Sequence, residues 1–379
     1  MRLRLSGDRT LHAGYCYNVL PGESVAALCA QARRICGPVR ARVGVARMGV
    51  GLWIAQPAAV ELRAPDALAA LRAALDAEGL YVFTLNGFPY GGFHAPRVKE
   101  RVFEPTWADA ARVEYTLDLA RILAALLPDD VAGGSISTVP LGPATVDRAR
   151  AGDGLRRAAD GLAEVEAATG RRIALAVEPE PGAGFERADL LAAYLRDLGD
   201  ATRARVGVCF DCCHAGVVDE EPAAAFAAMA AAGVACPKIQ VSSALVVPDP
   251  ERDDTRAALA AFDEPRFLHQ VRSARGGAMD LPEALATLDR GAPWRVHFHV
   301  PVHEAAVDRF ATTRATIERA LAAALAAGGD VPHVEVETYT WNVLPAGRRP
   351  VDEAGLVDGI ARELTWTVAL LEQMGATPA

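Results

Sequence analysis

Residues 206–214 read VGVCFDCCH, and they join a buried apolar strand to a polar sequence in a single step. Valine and phenylalanine favour strands, whereas aspartate is depleted in them and is costly to bury unless it is paired or binds a metal. Asp211 and His214 stand three residues apart where the predicted strand ends. We therefore expect a functional polar group at this strand end.

Similar apolar segments recur along the chain and alternate with helix-like segments. The predicted strands cover residues 13–19, 43–54, 81–87, 134–141, 173–180, 206–211, 237–245, 296–302 and 333–339. The predicted helices cover residues 24–36, 65–77, 108–127, 153–169, 189–198, 222–232, 281–288, 307–327 and 353–374. Alternation of strands and helices over this length predicts an α/β fold with a parallel sheet covered by helices.

Two parallel architectures compete, a doubly wound open sheet and a closed (β/α)8 barrel. The first predicted strand is followed by NVLPGESV at residues 18–25, which lacks the G-x-G-x-x-G turn of dinucleotide-binding sheets, and the chain contains no P-loop motif. Eight or nine strands without a break in composition favour one barrel. We predict a single TIM-barrel domain over residues 1–379, with a long loop insertion around residues 246–290.

Composition narrows the class of protein. The net charge of −9 and the pI near 5.5 argue against a nucleic-acid partner, since tracking phosphates requires a basic face. The N-terminal sequence MRLRLSGDRTLHAGY has no apolar segment after its arginines, and the Ala-rich segments are too short or too weakly apolar for a membrane span. We therefore predict a cytoplasmic protein with no membrane span.

The chain contains seven cysteines, and two of them, Cys209 and Cys212, form a C-x-x-C pair. Such a pair can hold zinc or take part in redox chemistry. Cys209 falls inside the predicted strand, however, and the chain has no second C-x-x-C. Buried free thiols are therefore the favoured interpretation.

Three further pairs of polar residues, each pair separated by one residue, lie at predicted strand ends: Glu178 and Glu180, His297 and His299, and Glu335 and Glu337. Both members of a pair share one strand face, because side chains alternate with a period of two. Two carboxylates on each of two inward faces repel each other unless a cation lies between them. A divalent metal held by Glu, Asp, His and Glu resolves this repulsion, and mixed O/N ligands suit Mn²⁺, Zn²⁺, Co²⁺ or Mg²⁺.

Each of these residues also has a purely structural explanation. Either histidine can be a hydrogen-bonded core residue, a glutamate can face an arginine or a helix N-terminus, and Asp211 can be an N-cap. Their joint occurrence at four or five strand ends favours the metal site, because the carboxyl ends of barrel strands meet at one mouth. Which glutamate of each pair is the ligand stays open.

Two loops offer groups for a substrate. Residues 84–94 read TLNGFPYGGFH and residues 135–142 read SISTVPLG. Their hydroxyls and amides suit a polyhydroxyl or carbonyl compound with aromatic rings against its apolar side; turn glycines and hydroxyls bonded to backbone are the alternative. The candidate substrate-binding residues are Asn86, Tyr90, His94, Ser137, Glu180, His297, Glu335 and Trp341.

With these motifs in view, the chain resembles the xylose-isomerase-like TIM-barrel superfamily, which holds sugar (phosphate) isomerases and epimerases and endonuclease IV-type enzymes. The resemblance implies metal ligands after successive strands, at Glu178, Asp211 (with His214), Gln240 and either Glu335 or Glu337. Gln240 stands where the superfamily usually has a histidine. His299, or alternatively His297, is expected to take over as the ligand.

More narrowly, the chain looks like the EboE family, the metabolite-traffic proteins of bacterial ebo gene clusters. The segments that carry this resemblance are HAGYCYNVLPGE, FTLNGFPYGGFH, GSISTVPLG, EPEPG, FDCCHAG, KIQVSSAL, HFHVPV and VEVETYTWNVLP. They extend along essentially the whole chain. The resemblance implies a role in moving or processing a precursor, prenyl-derived compounds included.

Three functions follow as hypotheses. The first is a divalent-metal-dependent isomerase or epimerase of a small polyol, sugar or prenyl-precursor metabolite, with the metal on Glu178, Asp211, Gln240, His299 and Glu337. One of Glu178 and Glu337 would remove a proton from carbon, the other would return it, and His214 would orient substrate or ligands. The second is a non-catalytic metabolite carrier, and the third is a metal-dependent phosphoesterase. The expected partners are a small-molecule substrate and either a further copy of the chain or proteins of the same cluster.

Overall fold

The computed structural model of the chain describes residues 1–7, 9–327 and 330–379. In this part of the chain, eight strands pair in parallel and in sequence order, and the last pairs with the first to close a barrel. These strands are β1 Arg9–Cys16, β2 Met48–Trp53, β3 Leu80–Asn86, β4 Gly133–Thr138, β5 Arg172–Val177, β6 Val206–Asp211, β7 Lys238–Val241 and β8 His333–Val336. The predicted TIM barrel is confirmed.

Helices surround the barrel. Their ranges in the described residues are Val25–Gln31, Gly37–Val43, Gln56–Glu61, Pro65–Ala77, Ala110–Leu126, Arg148–Thr169, Ala188–Asp197, Asp200–Arg203, Cys212–Val217, Pro222–Ala231, Asp253–Leu259, Leu281–Thr287, Arg314–Ala326 and Glu353–Gln373. A π-helical turn, Ala32–Cys36, joins the first two. Because helices cover the outer face and side chains fill the inner one, β6 is buried along its whole length.

Several strand and helix limits differ from the prediction for local reasons. The predicted strand 43–54 is shortened because the helix Gly37–Val43 ends on Gly44, whose φ of +78° is the usual left-handed helix end. The strand β2 therefore begins at Met48. At the opposite end of the chain, Thr377–Pro378 pairs with Arg2–Leu5, which itself lies antiparallel to β1.

A second, antiparallel sheet lies between β7 and β8. Its strands are Leu245–Val247, Val271–Ser273, Gly276–Ala278, Trp294–Val296, Ala306–Val307 and Phe310–Thr312. The predicted strand 296–302 is wrong beyond Val296, because His297 N–H donates to Gln270 while Val300 N–H donates to Ser243, in a different segment. The predicted helix 307–327 starts only at Arg314, because the preceding residues form a hairpin of this sheet.

Two further observations bear on earlier predictions. All seven cysteines are unpaired. No helix of the described residues is long and apolar enough to cross a membrane.

Candidate metal centre

Three carboxylates meet at the barrel mouth. Glu178 directly follows β5, Asp211 is the last residue of β6, and Glu337 directly follows β8. All three are buried, and one oxygen of each lies within 4.8 Å of an oxygen of the other two. Burial, and then the charges of the neighbouring carboxylates, raise the pKa of Glu178 and of Glu337 well above the usual range. The cluster is therefore poorly stable as three anions without a cation.

Hydrogen bonds hold Asp211 in place. Its Oδ1 accepts from the backbone N–H of His214 at 2.7 Å, so Asp211 is also the N-cap of the helix Cys212–Val217. Its Oδ2 accepts from the Ser242 hydroxyl at 2.8 Å. Asp211 is therefore both an N-cap, the purely structural role considered for it, and a member of the carboxylate cluster.

Two amides hold Glu337. Asn18 Nδ2 and Asn86 Nδ2 donate to the same oxygen, Glu337 Oε1, at 2.8 and 2.9 Å. This arrangement fixes the carboxylate and leaves Oε2 as its second oxygen for another partner. On Glu178, Oε2 is buried and makes no hydrogen bond with the described residues.

Three imidazoles complete the mouth, and their hydrogen bonds define their tautomers. His214 Nδ1 lies 2.9 Å from Pro179 O, and His299 Nδ1 lies 2.9 Å from Glu337 O. His297 Nδ1 contacts Gln270 Oε1. A carbonyl oxygen can only accept, so each Nδ1 donates, and in the neutral imidazole Nε2 then carries the lone pair. Burial is the main cause that lowers the pKa of His297 well below its usual range and that of His299 to about 4, which keeps both imidazoles neutral at pH 7.

The arrangement of these side chains fits a divalent ion. Four overlapping groups each bring three ligand atoms within 4.8 Å of one another: Glu178, Asp211 and Glu337; Asp211, His214 and His299; Glu180, His214 and His297; and Cys213, His297 and His299. His299 Nε2 is buried without a hydrogen bond to the described residues. Carboxylates with neutral imidazoles are ligands that Mn²⁺, Zn²⁺, Co²⁺ and, for its oxygen ligands, Mg²⁺ accept. Cys213 is less suitable as a metal ligand, because burial raises the pKa of its thiol.

Other predicted residues lie deeper in the barrel. Glu335 Oε2 is 2.6 Å from Lys238 Nζ, and both side chains are completely buried. The same ammonium donates to Ser137 Oγ at 3.1 Å. Gln240, in register with Asp211 and Glu335, has both amide atoms buried without a hydrogen bond to the described residues.

The remaining predicted residues surround the mouth. Glu180 lines the cavity and accepts from Gln270 Nε2 at 2.8 Å, and burial raises its pKa to about 7. His94 Nε2 bonds Asn18 O at 2.9 Å, and His94 does not line the cavity. Tyr90 packs edge-on against Tyr115. Trp341 Nε1 donates to Tyr15 Oη at 3.0 Å and to Glu363 at 3.2 Å, away from the carboxylates.

Three residues of the site were missed from the sequence. Asn18, Ser242 and Gln270 hold Glu337, Asp211 and His297 respectively. Asn18 and Ser242 lie within motifs already noted, NVLPGE and QVSS, but Gln270 belongs to the irregular insertion and has no local signal.

The structure is thus a closed parallel α/β barrel with buried carboxylates and imidazoles that could hold a metal ion at the carboxyl ends of its strands. Residues 44–304 match the family described as Xylose isomerase-like TIM barrel. The chain belongs to this family, which confirms the broader of the two resemblances.

Solved structures show the same fold. A xylose isomerase domain protein from Planctomyces limnophilus has 17% sequence identity and a TM-score of 0.50, over 88% of this chain and 92% of that chain. A D-psicose 3-epimerase from Clostridium cellulolyticum H10, solved with D-tagatose, has 14% identity and a TM-score of 0.50, over 95% of this chain and 99% of that chain. No curated protein matches the sequence.

Proposed function

We propose that the protein is a divalent-metal-dependent isomerase or epimerase acting on a small metabolite with adjacent hydroxyl and carbonyl oxygens. The observation that carries this proposal is the buried group of Glu178, Asp211 and Glu337, whose oxygens approach within 4.8 Å. Three carboxylates at this distance can all be ionised only with a cation between them, and His299 Nε2 supplies a nitrogen ligand that nothing else in the described residues uses.

The roles of the residues follow from their bonds. A bound divalent ion supplies Lewis-acid stabilisation of negative charge on the substrate oxygens. Glu178 is the candidate base, because its buried Oε2 is free to take a proton from the substrate carbon. Glu337, held by two amides, is the candidate for returning the proton on the opposite face. His214 orients the site, since its Nδ1–H is fixed by Pro179 O.

In this proposal the metal ligands are Glu178, Asp211, Glu337 and His299, with His297 as the alternative nitrogen ligand. Gln240 was included in the predicted ligand set and stays a candidate through its amide oxygen, which has no other partner in the described residues. Glu335 is the less suitable member of its pair, because Lys238 already neutralises it.

Elemental analysis of protein purified without chelator or affinity metal tests the proposal. We expect at least about one divalent ion per chain in the wild-type protein. In Asp211→Ala we expect this metal to be lost. The matched control is Asp76→Ala, which alters an exposed aspartate of the helix Pro65–Ala77 and should keep the metal. Equal metal content in wild type and Asp211→Ala would refute the proposal.

A non-catalytic carrier is the second candidate, and the identity of residue 240 favours it, because the superfamily resemblance implies a histidine where this chain has Gln240. A role of the EboE type, in traffic of a polyol, sugar or prenyl-derived precursor, fits this version equally. Retained ligand binding by metal-free protein carrying Glu178→Gln and Glu337→Gln would support the carrier over the enzyme.

Phosphoester hydrolysis is less well supported. Lys99 lines the cavity, but its ammonium is bound by Asp280 at 2.6 Å, so it has little charge left for a phosphate. The organisation of residues 1–379 as one domain, the cytoplasmic location and association with another copy or with cluster proteins stay predictions.

A further inference from the structure

The cavity above the carboxylates has two chemically different halves. Carboxylates and imidazoles line the inner half, whereas the outer half is formed chiefly by Phe88, Phe93, Val98, Phe267 and Tyr339. Its empty volume, the part open to solvent included, is about 490 Å³. The ligand is therefore expected to match a polar end and an apolar end.

The apolar half is built from rings that hold each other in place. The ring centroids of Phe93 and Phe267 are 4.9 Å apart, those of Phe267 and Tyr339 are 4.9 Å apart, and those of Phe93 and Tyr339 are 5.4 Å apart. Trp53 packs behind Phe93, with its Nε1 donating to Pro89 O. The three rings come from segments distant in sequence, so this aromatic wall is preformed by the fold and does not depend on a ligand to assemble it.

Most polar groups near this wall are already used by the protein, and the Tyr339 hydroxyl lies 3.4 Å from His297 Nε2. Asn86 donates to Glu337 and accepts the backbone N–H of Phe88 at 2.9 Å. Lys99 donates to Asp280 and to Glu264 O. Asn18 Oδ1 makes no hydrogen bond with the described residues, so it can accept from one hydroxyl next to the carboxylates. Hydroxyl groups further along a sugar chain would face phenyl and isopropyl groups without partners, which is unfavourable in a buried site.

We infer that the substrate carries its adjacent hydroxyl and carbonyl at one end and an apolar arm of about ring size at the other, and that it is not a free sugar. The oxygens of the polar end would meet the carboxylate cluster, which is the part that rests on the proposed function. The apolar arm would pack on Phe93, Phe267 and Tyr339, and this part rests on the cavity wall alone.

Calorimetric binding of three probes tests the inference on the full chain. The probes are α-hydroxyacetophenone, which has both ends, dihydroxyacetone, which lacks the arm, and D-fructose, which has a polyol chain instead. We expect α-hydroxyacetophenone to bind at least about tenfold more tightly than either of the others. Equal or tighter binding of D-fructose, or no detectable binding of α-hydroxyacetophenone, would overturn the inference.

Variants of the wall separate this preference from chance binding. Val98→Thr is nearly isosteric and places a hydroxyl on the apolar wall, so it should weaken α-hydroxyacetophenone several-fold and leave dihydroxyacetone unchanged. Val351→Thr makes the same substitution at an exposed site, where 96% of the residue is accessible, and should alter neither. Phe267→Leu gives a second measurement should Val98→Thr fold poorly.

The experiment also distinguishes failure of the inference from failure of the proposed function. Each titration is carried out with Mn²⁺ and again after chelation, and metal content is measured on the same sample. If the protein contains no metal but still binds α-hydroxyacetophenone most tightly, the proposed function is refuted and the apolar arm is supported. If the protein contains metal but binds D-fructose most tightly, the proposed function is supported and the apolar arm is refuted.

Discussion

The Nε2 atoms of His214 and His297 lie 3.2 Å apart. In both residues Nδ1 donates to a carbonyl oxygen, of Pro179 and of the Gln270 side chain, so in the neutral imidazoles two lone pairs face each other. Such a contact is favourable only with a proton or a cation between the two nitrogens. The bonds at Nδ1 therefore prepare both imidazoles for a ligand at the mouth of the barrel.

Gln270 controls this arrangement, because its Nε2 donates to Glu180 and Pro181 O and thereby turns its oxygen towards His297. We predict that Gln270→Leu lowers divalent-metal affinity by about 10- to 100-fold, as loss of a residue that orients a metal ligand typically does. Titration of Mn²⁺ or Zn²⁺ into metal-free protein measures this. The exposed Gln373→Leu is the control, and unchanged affinity in Gln270→Leu would show that His297 is not a ligand.

Metal binding should release protons near pH 7. Burial and mutual repulsion raise the pKa of Glu178 and Glu337, so the metal-free cluster keeps a proton that a cation must displace. We expect release of roughly one proton per chain, measured by calorimetry in two buffers of different ionisation enthalpy. Glu178→Gln should abolish most of the release. Identical heats in both buffers with wild-type protein would contradict the prediction.

The buried pair of Lys238 and Glu335 should be essential for folding. Burial lowers the pKa of Lys238, but Glu335 more than offsets this, and the pKa stays above its usual value. Lys238→Met leaves an unpaired carboxylate inside the barrel, and we predict a loss of about 3–5 kcal/mol in the free energy of unfolding. Denaturant titration measures it. The double variant Lys238→Met/Glu335→Gln should recover part of the loss, and additive losses would contradict a direct pair.

Gly51 lies next to Glu335, so a substitution there gives a second test of the Lys238–Glu335 pair. A Cβ at this position would lie 1.3 Å from Glu335 Oε1, so alanine must push the carboxylate off Lys238. We predict that Gly51→Ala destabilises the protein by at least about 1–3 kcal/mol, the usual effect of overpacking. At Gly91 an added Cβ would meet no atom of the described residues within 4 Å apart from its chain neighbours, so Gly91→Ala is the control. Similar melting temperatures for both variants would argue against the observed position of Glu335.

Glu363, on the helix Glu353–Gln373, should make stability fall as pH rises. Its carboxylate accepts from Tyr15, Thr338, Trp341 and the backbone N–H of Val302, yet burial outweighs these bonds and raises its pKa to about 7. The folded state then holds more protons than the unfolded state, whose carboxyl has a pKa near 4.5, so this stabilisation is complete below about pH 4.5 and is lost towards pH 7.

The matching variant is Glu363→Gln, a neutral analogue of the protonated acid. The difference in unfolding free energy between variant and wild type should move in favour of the variant as pH increases from about 5 to 7.5. Urea titrations at several pH values measure this difference. Glu372→Gln, at an exposed position of the same helix, should show no such trend. A pH-independent difference for Glu363→Gln would place its carboxyl pKa outside this range.

Much of the fold and part of the site could be read from local patterns. Strand and helix alternation predicted the barrel, and polar residues at strand ends predicted Glu178, Asp211 and Glu337 as neighbours, because parallel strands bring their carboxyl ends to one mouth. The pairs Glu178/Glu180 and Glu335/Glu337 could not be resolved this way. Alternation along a strand predicted one face for both members of each pair, whereas Glu178 and Glu180 both follow the end of β5, and Glu335 lies within β8 while Glu337 follows it.

The contacts that hold the site depend on long-range closure. Asn18 and Glu337 are 319 residues apart in sequence, and they meet because β8 closes the barrel against β1. Gln270 reaches His297 because Val271 pairs with Val296 in the antiparallel sheet of the insertion. The prediction of one continuous strand over residues 296–302 gave no indication of this pairing. The sequence alone determined the order of elements and the chemistry of the strand ends, since both are local properties. Tertiary structure alone decided which atoms face each other, because hydrogen-bond partners, tautomers and the apolar cavity wall arise only when distant segments pack together.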